Sequence, residues 1–331
     1  MIINIYIFIF FVTFLFFLFL NKLQNFINIF DIPDKIKKLH KKKVPPIGGF
    51  IFVIIIIKIF LLSFFYDLDL IIFQNDREYF TFYCISILLF FIGFLDDKYN
   101  LTYKTRVFLL FLIFMSSILI DENLIIKNLY FMNHNKYVEL NSFSVMFTTL
   151  CLLTFINAFN MFDGINCQSI LYFMSVLLFL ILKNIYISLC LALLIPSLFF
   201  FIYNCREKIF LGNSGSLMLP YIISYLLIKE YNINFSIKVE EIIVLMIIPF
   251  LDLLRLFFTR IIDQKNPFVS DRNHIHHILS KKFNSNIKAV IIIFSLTFIP
   301  ITMVAVNLKL LNLVILLQLL SYIYFIKIKK A

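Results

Sequence analysis

The stretch YFTFYCISILLFFIGFLDD, residues 79–97, decides the fold class of this chain. It is an almost uninterrupted apolar run that ends in two carboxylates, and a bilayer core about 30 Å thick requires about 20 apolar residues per helix. Of the 331 residues, 62% are hydrophobic and only 15% are charged. Soluble domains are about half apolar and about a quarter charged. The composition therefore excludes a soluble enzyme and predicts a polytopic membrane protein.

Similar apolar runs along the chain predict an all-α fold with about eleven transmembrane helices, in a single domain over residues 1–331. The runs lie at roughly 2–20, 47–66, 79–95, 107–120, 143–156, 169–182, 186–203, 215–228, 239–258, 287–305 and 310–326. Between them, five loops contain the polar motifs of the chain, at about 21–46, 96–106, 157–168, 204–214 and 259–286.

The distribution of basic residues predicts the orientation in the membrane. These five loops and the C-terminal tail contain 20 Lys and Arg residues, and the loops on the other side contain 7. Cytoplasmic loops are enriched in Lys and Arg, so we expect the N-terminus outside and the C-terminus in the cytoplasm. We attribute the net charge of +11 to this orientation and expect no nucleic acid partner.

Glycine is rare, and its positions indicate a functional surface. All six glycines lie in or beside the five motif loops: Gly48, Gly49, Gly93, Gly164, Gly212 and Gly215. Glycine permits a positive φ or a close approach of the backbone to a ligand. Ordinary helix caps and turns would explain any one of them, but their restriction to one side of the membrane favours a shared site.

Acidic and amide side chains occur at two helix ends. Asp96 and Asp97 end an apolar run, where the helix dipole disfavours negative charge, so we expect a metal or a cationic partner unless the pair is simply solvated. Further on, Asn157, Asn160 and Asp163 recur every three residues and share one helical face,. Oxygen ligands on one face suit a hard cation such as Mg²⁺.

Two later loops contain groups suited to phosphate. Residues 209–216 enter a helix through small residues, which is typical of a phosphate-binding helix N-terminus. The last loop contains His274, His276 and His277, next to Asp271 and Arg272. A zinc site would need three or four converging nitrogen or sulfur ligands, and no cysteine lies nearby. Imidazoles and an arginine facing a phosphate-rich substrate fit better.

In this order the motifs resemble those of glycosyltransferase family 4, the polyprenyl-phosphate N-acetylhexosamine-1-phosphate transferases, and within it the WecA-like branch of undecaprenyl-phosphate GlcNAc-1-phosphate transferases. The matching residues are His40 with Pro45 and Gly48-Gly49, Asp96-Asp97 with Leu101 and Arg106, Asn157 to Gly164, Asp252 with Arg255, and Pro267-Phe268 followed by residues 271–277, DRNHIHH. The last loop is the most specific signal, because the phospho-MurNAc-pentapeptide transferase branch has a differently composed histidine motif there.

Three positions depart from the family pattern. Asn166-Cys167-Gln168 replaces the usual Asp/Asn-Gly-Leu, and Leu110 stands where a Gln is expected. Asn213 stands where the family has a magnesium-binding Asp, which puts metal affinity in question.

The resemblance implies an enzyme of the bacterial inner membrane with its active site on the cytoplasmic face. Such an enzyme transfers N-acetylhexosamine 1-phosphate, most often GlcNAc 1-phosphate, from the UDP-sugar to undecaprenyl phosphate and releases UMP, in the first membrane step of a cell-surface glycan pathway. The family also allows a homodimer. The implied catalytic residues are Asp96, Asp97 and Asp163. The implied substrate-binding residues are His40, Arg106, Gly164, Asn166, Phe210, Arg272, His274, His276 and His277, and the implied ligands of Mg²⁺, or alternatively Mn²⁺, are Asn160 and Asn213.

Three alternatives stay open at this point. One is a catalytically impaired homologue, which only Asn213 favours, and another is a phospho-MurNAc-pentapeptide transferase. The third is a transporter, which would place ionisable residues near the middle of its spans. Here only Lys58, Asp252 and Arg255 qualify, and the last two are spaced for a structural i,i+3 ion pair.

Overall fold

The computed structural model describes residues 2–31, 43–66, 73–131, 136–266 and 273–327. Several predicted residues lie outside these ranges, and their roles stay predictions: His40, Pro267, Phe268, Asp271 and Arg272.

Helices make up most of the described chain. The α-helices are α1 (Ile2–Leu18), α2 (Leu20–Ile27), α3 (Gly48–Tyr66), α4 (Asp76–Tyr99), α5 (Tyr103–Ile120), α6 (Ser144–Phe162), α7 (Gln168–Leu182), α8 (Ile187–Cys205), α9 (Gly212–Ile233), α10 (Val239–Ile262), α11 (Ile275–Phe283), α12 (Asn286–Val306) and α13 (Leu311–Lys327). Each of the eleven predicted apolar runs lies largely within one of these helices. The short helices α2 and α11 were predicted as loop.

Among the described residues, eight helices are long and apolar enough to cross a membrane: α3, α4, α5, α6, α8, α10, α12 and α13. The bent pair α1 and α2, whose axes differ by 65°, would make a ninth span. Of the remaining two predicted spans, α7 has only 15 residues, and α9 carries Lys229 and Glu230 near its end. The prediction of a helical, multi-pass membrane protein is confirmed.

Among the described residues, a pair of short antiparallel strands departs from the all-α prediction. Strands β1 (Asn128–Phe131) and β2 (Lys136–Glu139) pair in the predicted loop 121–142. The hydroxyl of Tyr231 in α9 donates to the carbonyl of Asn128 at 2.8 Å and accepts the N–H of Tyr130 at 3.1 Å. Neither NLYF nor KYVE alternates strictly between apolar and polar residues, so the pattern that predicts a strand is absent.

The chain divides into two compact units, each built from two separate stretches of sequence. The first comprises residues 1–121 and 180–223, and the second comprises residues 122–179 and 224–331. The prediction of one domain stays a prediction.

In the first unit, a short backbone ladder fixes the start of α9 beside the start of α3. The N–H groups of Gly48 and Gly49 donate to the carbonyls of Phe210 and Leu211 at 2.8 and 3.0 Å. In return the N–H of Phe210 donates to the carbonyl of Pro45 at 3.0 Å. These bonds place residues 210–211, which directly precede α9, against the Pro-Pro-x-Gly-Gly segment.

In the second unit, two helix-interior prolines leave carbonyls that side chains from other helices satisfy. Proline lacks the N–H that would bond the carbonyl four residues earlier. For Pro249 in α10 this is the carbonyl of Leu245, which accepts the hydroxyl of Tyr172 at 2.7 Å. For Pro300 in α12 it is the carbonyl of Leu296, which accepts the amide of Gln318 at 3.2 Å. Buried polar groups are thereby paired, as a membrane interior requires.

Candidate active site

Asp96, near the end of α4, is held by an arginine from the next helix. Its Oδ2 accepts Nη1 of Arg106 at 3.0 Å, and the residue is only 4% exposed. The turn is tight because Asn100 ends α4 in the left-handed conformation and Thr102 caps α5 by accepting the N–H of Thr105 at 3.3 Å. Arg106 therefore lies one turn inside α5, within hydrogen-bond distance of Asp96. It is a cationic partner of the kind that the sequence predicted for the aspartate pair.

Asp97 binds the N-terminus of α9. Its Oδ1 accepts the backbone N–H of Asn213 at 2.9 Å, and its Oδ2 accepts that of Ser214 at 3.2 Å. The first N–H groups of a helix have no partner within it and favour a negative charge. The segment predicted to bind phosphate thus already binds a carboxylate of the protein. Both aspartates therefore have protein partners, Arg106 for Asp96 and the start of α9 for Asp97.

Two glycines make this approach of α4 to α9 sterically feasible. A Cβ on Gly93 would collide with the backbone carbonyl of Asn213. Gly212 has a φ of +74°, and a Cβ there would lie 2.7 Å from Oδ2 of Asp97. A side chain at either position would push α9 away from the carboxylate, which accounts for glycine at both.

In the second unit, the Asn-x-x-Asn-x-x-Asp segment forms the end of α6. Asn157 and Asn160 lie in the last turns of the helix, and Asp163 follows as its C-terminal cap. The amide of Asn157 donates to the carbonyl of Leu153 at 2.7 Å, so it is used within its own helix. The carboxylate of Asp163 accepts a short hydrogen bond from the hydroxyl of Ser169, in the first turn of α7. No sequence pattern indicates Ser169, because an isolated serine after a helix is common.

Gly164 lies directly against His276, in the first turn of α11. A Cβ at this position would overlap the imidazole ring of His276. The Asp163-Gly164 motif and the histidine motif, which are far apart in sequence, are therefore in contact within the second unit.

The three histidines form a compact cluster. The rings of His274 and His276 are stacked, with centroids 5.3 Å apart, and those of His276 and His277 are 4.2 Å apart. His276 is only 1% exposed, and neither of its ring nitrogens has a hydrogen-bond partner among the described residues. Burial, together with the charges of His277 and His274, holds the pKa of His276 well below its ordinary value, against the weaker opposing effect of Asp252. The ring is therefore neutral at pH 7.

A network around Asp252 in α10 anchors this cluster. Its Oδ2 lies 2.9 Å from Nδ1 of His274, and its Oδ1 accepts Nη2 of Arg255 at 2.7 Å and the backbone N–H of Ile275 at 3.1 Å. The hydroxyl of Tyr322 in α13 also donates to Oδ1, at 3.1 Å. The pairing of Asp252 with Arg255 that the sequence left open is thus present, within a larger network.

The Mg²⁺ site stays a prediction. Within the described ranges, no three His, Cys, Asp or Glu side chains are grouped so that they could bind a metal ion. Asn160 lies in the second unit and Asn213 in the first. Their assignment to Mg²⁺, and those of Asn166 and Phe210 to the substrate, stay predictions.

Comparison with known proteins agrees with the motif order. The model of the family described as "Glycosyl transferase family 4" matches residues 79–230, a range that includes Asp97, Asp163 and Asn213. The chain is similar to the undecaprenyl-phosphate alpha-N-acetylglucosaminyl 1-phosphate transferase of Thermotoga maritima, with 26% identity over 273 residues, which cover 81% of this chain and 79% of the relative. It is also 26% identical to the protein of the same name from Yersinia pestis, over 81% of this chain and 73% of the relative. The resemblance predicted from the sequence is confirmed.

Proposed function

We propose that this protein transfers N-acetylglucosamine 1-phosphate from UDP-N-acetylglucosamine to undecaprenyl phosphate, with release of UMP. The contact of Gly164 with His276, beside the Asp252–His274 pair, carries the proposal because it unites motifs from distant parts of the chain. The names of the Thermotoga and Yersinia relatives supply the acceptor and the sugar. The UDP-linked donor and a role in cell-surface glycan synthesis are parts of the proposal.

The proposed reaction is a phosphoryl transfer. An oxygen of the lipid phosphate attacks the phosphorus next to the sugar, a new P–O bond forms there, and the bond from this phosphorus to the UMP oxygen breaks. The second pKa of a phosphate monoester is about 6, so the nucleophile is largely ionised at pH 7. Positioning and charge neutralisation therefore supply most of the catalysis.

The first unit offers groups for the lipid phosphate. Arg106 uses Nη1 on Asp96, and its Nε has no hydrogen-bond partner among the described residues. We propose that this arginine binds a phosphate oxygen while Asp97 orients the nucleophile or accepts its proton. The neighbouring α9 N-terminus holds Asp97 in place by two backbone bonds.

The second unit offers groups for the donor. His276 is buried, neutral and without a hydrogen-bond partner among the residues described, so its ring nitrogens are available to a bound sugar phosphate. We propose the same role for His274, His277 and Arg272, and propose that Gly164 and Asn166 contact the uridine. For Phe210, which belongs to the first unit, a contact with the uridine is proposed from the family resemblance alone.

We also propose a magnesium requirement. Amide and carboxylate oxygens suit this hard cation, which in proteins is often bound through one or two carboxylates and substrate phosphates. Asn160 and Asn213 are the proposed ligands, with Asp163 as the nearby carboxylate. The ion would neutralise charge on the diphosphate.

The proposed topology has eleven spans, with the motif loops and the C-terminus in the cytoplasm. The support is the excess of Lys and Arg in the motif loops and tail, 20 against 7. A cytoplasmic site gives access to a soluble sugar nucleotide, and the acceptor reaches it from the bilayer.

A donor panel tests the proposed function. Protein in lipid nanodiscs with undecaprenyl phosphate and Mg²⁺ is incubated with UDP-N-acetylglucosamine, UDP-N-acetylgalactosamine or UDP-MurNAc-pentapeptide, and UMP is measured. We expect UMP with the first donor and only when the lipid is present. UMP with the pentapeptide donor alone would identify the other branch of the family. No UMP with any donor would favour the impaired homologue that Asn213 suggests.

A further inference from the structure

Helix α13 buries two polar side chains on one face. Gln318 is 2% exposed and Tyr322 is 6% exposed, and residues four apart lie on the same side of a helix. Burying a polar group without a partner is costly, so each should have a structural reason. Gln318 has one, since its amide bonds the Leu296 carbonyl that Pro300 leaves open, and also the carbonyl of Val244 at 3.2 Å.

Tyr322 binds groups that belong to the candidate site. Its hydroxyl accepts Nε of Arg255 at 3.0 Å and donates to Oδ1 of Asp252 at 3.1 Å. It thus bridges an arginine and a carboxylate that also bond each other at 2.7 Å. Tyr322 lies outside residues 79–230, the range of the family match, and outside every motif of the sequence analysis.

The hydrogen bonds to Oδ1 of Asp252 fix the orientation of the carboxylate and therefore the partner of Oδ2. Because Arg255 and Tyr322 both hold Oδ1, the carboxylate of Asp252 cannot rotate freely, and Oδ2 stays on Nδ1 of His274. An ionised carboxylate only accepts hydrogen bonds, so Nδ1 must carry the donated proton. In the neutral ring, Nε2 is then the nitrogen with a free lone pair.

We infer that Tyr322 is a positioning residue, which holds Asp252 so that His274 keeps its Nδ1–H tautomer and presents Nε2 in one orientation. The inference rests on the proposed function, in which His274 meets the sugar phosphate. The last helix of the chain would thereby take part in building the site.

The direct test is Tyr322→Phe, which removes the hydroxyl and keeps the ring. We expect kcat to fall about tenfold while the KM for the UDP-sugar changes less than about twofold, because a misoriented group weakens transition-state binding more than ground-state binding. The matched control is Tyr324→Phe, in the same helix, where the tyrosine is 63% exposed. It should leave both constants unchanged. An unchanged kcat in Tyr322→Phe would overturn the inference.

A fall in kcat in Tyr322→Phe could also result from weaker packing of α13 as a whole. The variant Gln318→Met tests this alternative. This variant removes the amide that joins α13 to α10 and α12 but leaves Asp252 untouched. We expect a lower thermal midpoint with an unchanged kcat. If Gln318→Met and Tyr322→Phe lower kcat equally at equal loss of thermal midpoint, the effect of Tyr322 is structural and the inference is wrong.

A spectroscopic readout separates this inference from the proposed function. The ¹⁵N shifts of labelled histidines in nanodiscs distinguish the Nδ1–H tautomer from the Nε2–H tautomer without any substrate. His274→Gln assigns the His274 signal. We expect the Nδ1–H form in the parent and in Tyr324→Phe, and a mixture in Tyr322→Phe. If these tautomers are found in a protein that releases no UMP, the positioning role is supported and the proposed function is rejected. Identical His274 signals in all three proteins would overturn the positioning role.

Discussion

Asp97 accepts the backbone N–H of Asn213 at 2.9 Å, so the carboxylate at the end of α4 is held by the N-terminus of α9. Two backbone donors hold this carboxylate, and backbone donors cannot move away as a lysine or arginine side chain can. The carboxylate is therefore fixed in position before any substrate binds, as pre-organised catalysis requires.

The first prediction is that Asp97→Asn lowers turnover by at least about 10²-fold, the scale for a group that moves a proton or orients the nucleophile. The amide keeps the size of the side chain but has no charge and one acceptor fewer. UMP release measures the effect. Asp263→Asn is the matched control, since Asp263 is 56% exposed and pairs only with Lys265 at 3.0 Å among the contacts seen. Near-parental turnover in Asp97→Asn would reassign this carboxylate to structure.

The second prediction concerns the contact between Gly164 and His276. Gly164→Ala should lower the thermal midpoint and abolish UMP release, because the new methyl group overlaps the imidazole. In the double variant Gly164→Ala/His276→Ala the overlap is gone. Its thermal midpoint should therefore fall by less than the sum of the decreases in the two single variants, while activity stays lost. Purely additive thermal midpoints would show that the two residues do not touch.

The third prediction concerns pH. Burial lowers the pKa of His276 in the folded protein below the value of about 6.5 for the unfolded chain. The unfolded chain therefore binds more protons below that pH, so stability is full above about pH 6.5 and is lost as the pH falls. Thermal midpoints between about pH 5 and about pH 7.5 should show this slope, and His276→Phe should reduce it. An identical slope in the variant would mean that other groups cause it.

The helices could be predicted from the sequence because an apolar run is a local property. Each of the eleven runs lies largely within a helix, and the motif loops were recognised from residue types alone. The partners within the site could not be predicted in the same way. A single tyrosine in an apolar helix, such as Tyr172 or Tyr322, gives no local signal, since only tertiary packing determines which carbonyl or carboxylate it meets.

The start of α9 illustrates the same limit. The small residues at this helix start predicted a phosphate-binding site, because unpaired N–H groups attract negative charge. Sequence cannot tell which anion comes closest. In the folded chain it is the carboxylate of Asp97, so the segment positions a protein group.

The fourth prediction addresses Asn213, where the family has a magnesium-binding Asp. A neutral amide can bind Mg²⁺ but brings no charge to the ion. We therefore expect Asn213→Asp to lower the Mg²⁺ concentration for half-maximal UMP release. An inactive parent that this change activates would identify an impaired homologue. Coincident titration curves would exclude position 213 as a ligand.

The fifth prediction is topological. Lys265→Cys replaces an exposed residue after α10, and Glu139→Cys replaces an exposed residue in β2. In intact cells an impermeant thiol reagent should label Glu139→Cys more strongly than the parent protein. It should label Lys265→Cys no more than the parent protein. The reverse pattern would invert the proposed orientation.

The central claim is that the phosphate next to the sugar travels with it to the lipid. Purified protein in nanodiscs with undecaprenyl phosphate and Mg²⁺ is given UDP-N-acetylglucosamine that carries ³²P only in that phosphate. We expect the label to enter the lipid fraction and unlabelled UMP to be released in equal amount, and we expect Asp97→Asn to lower both products at least about 10²-fold. Label released into water as UDP, with unlabelled sugar on the lipid, would show sugar transfer without phosphate and would contradict the account.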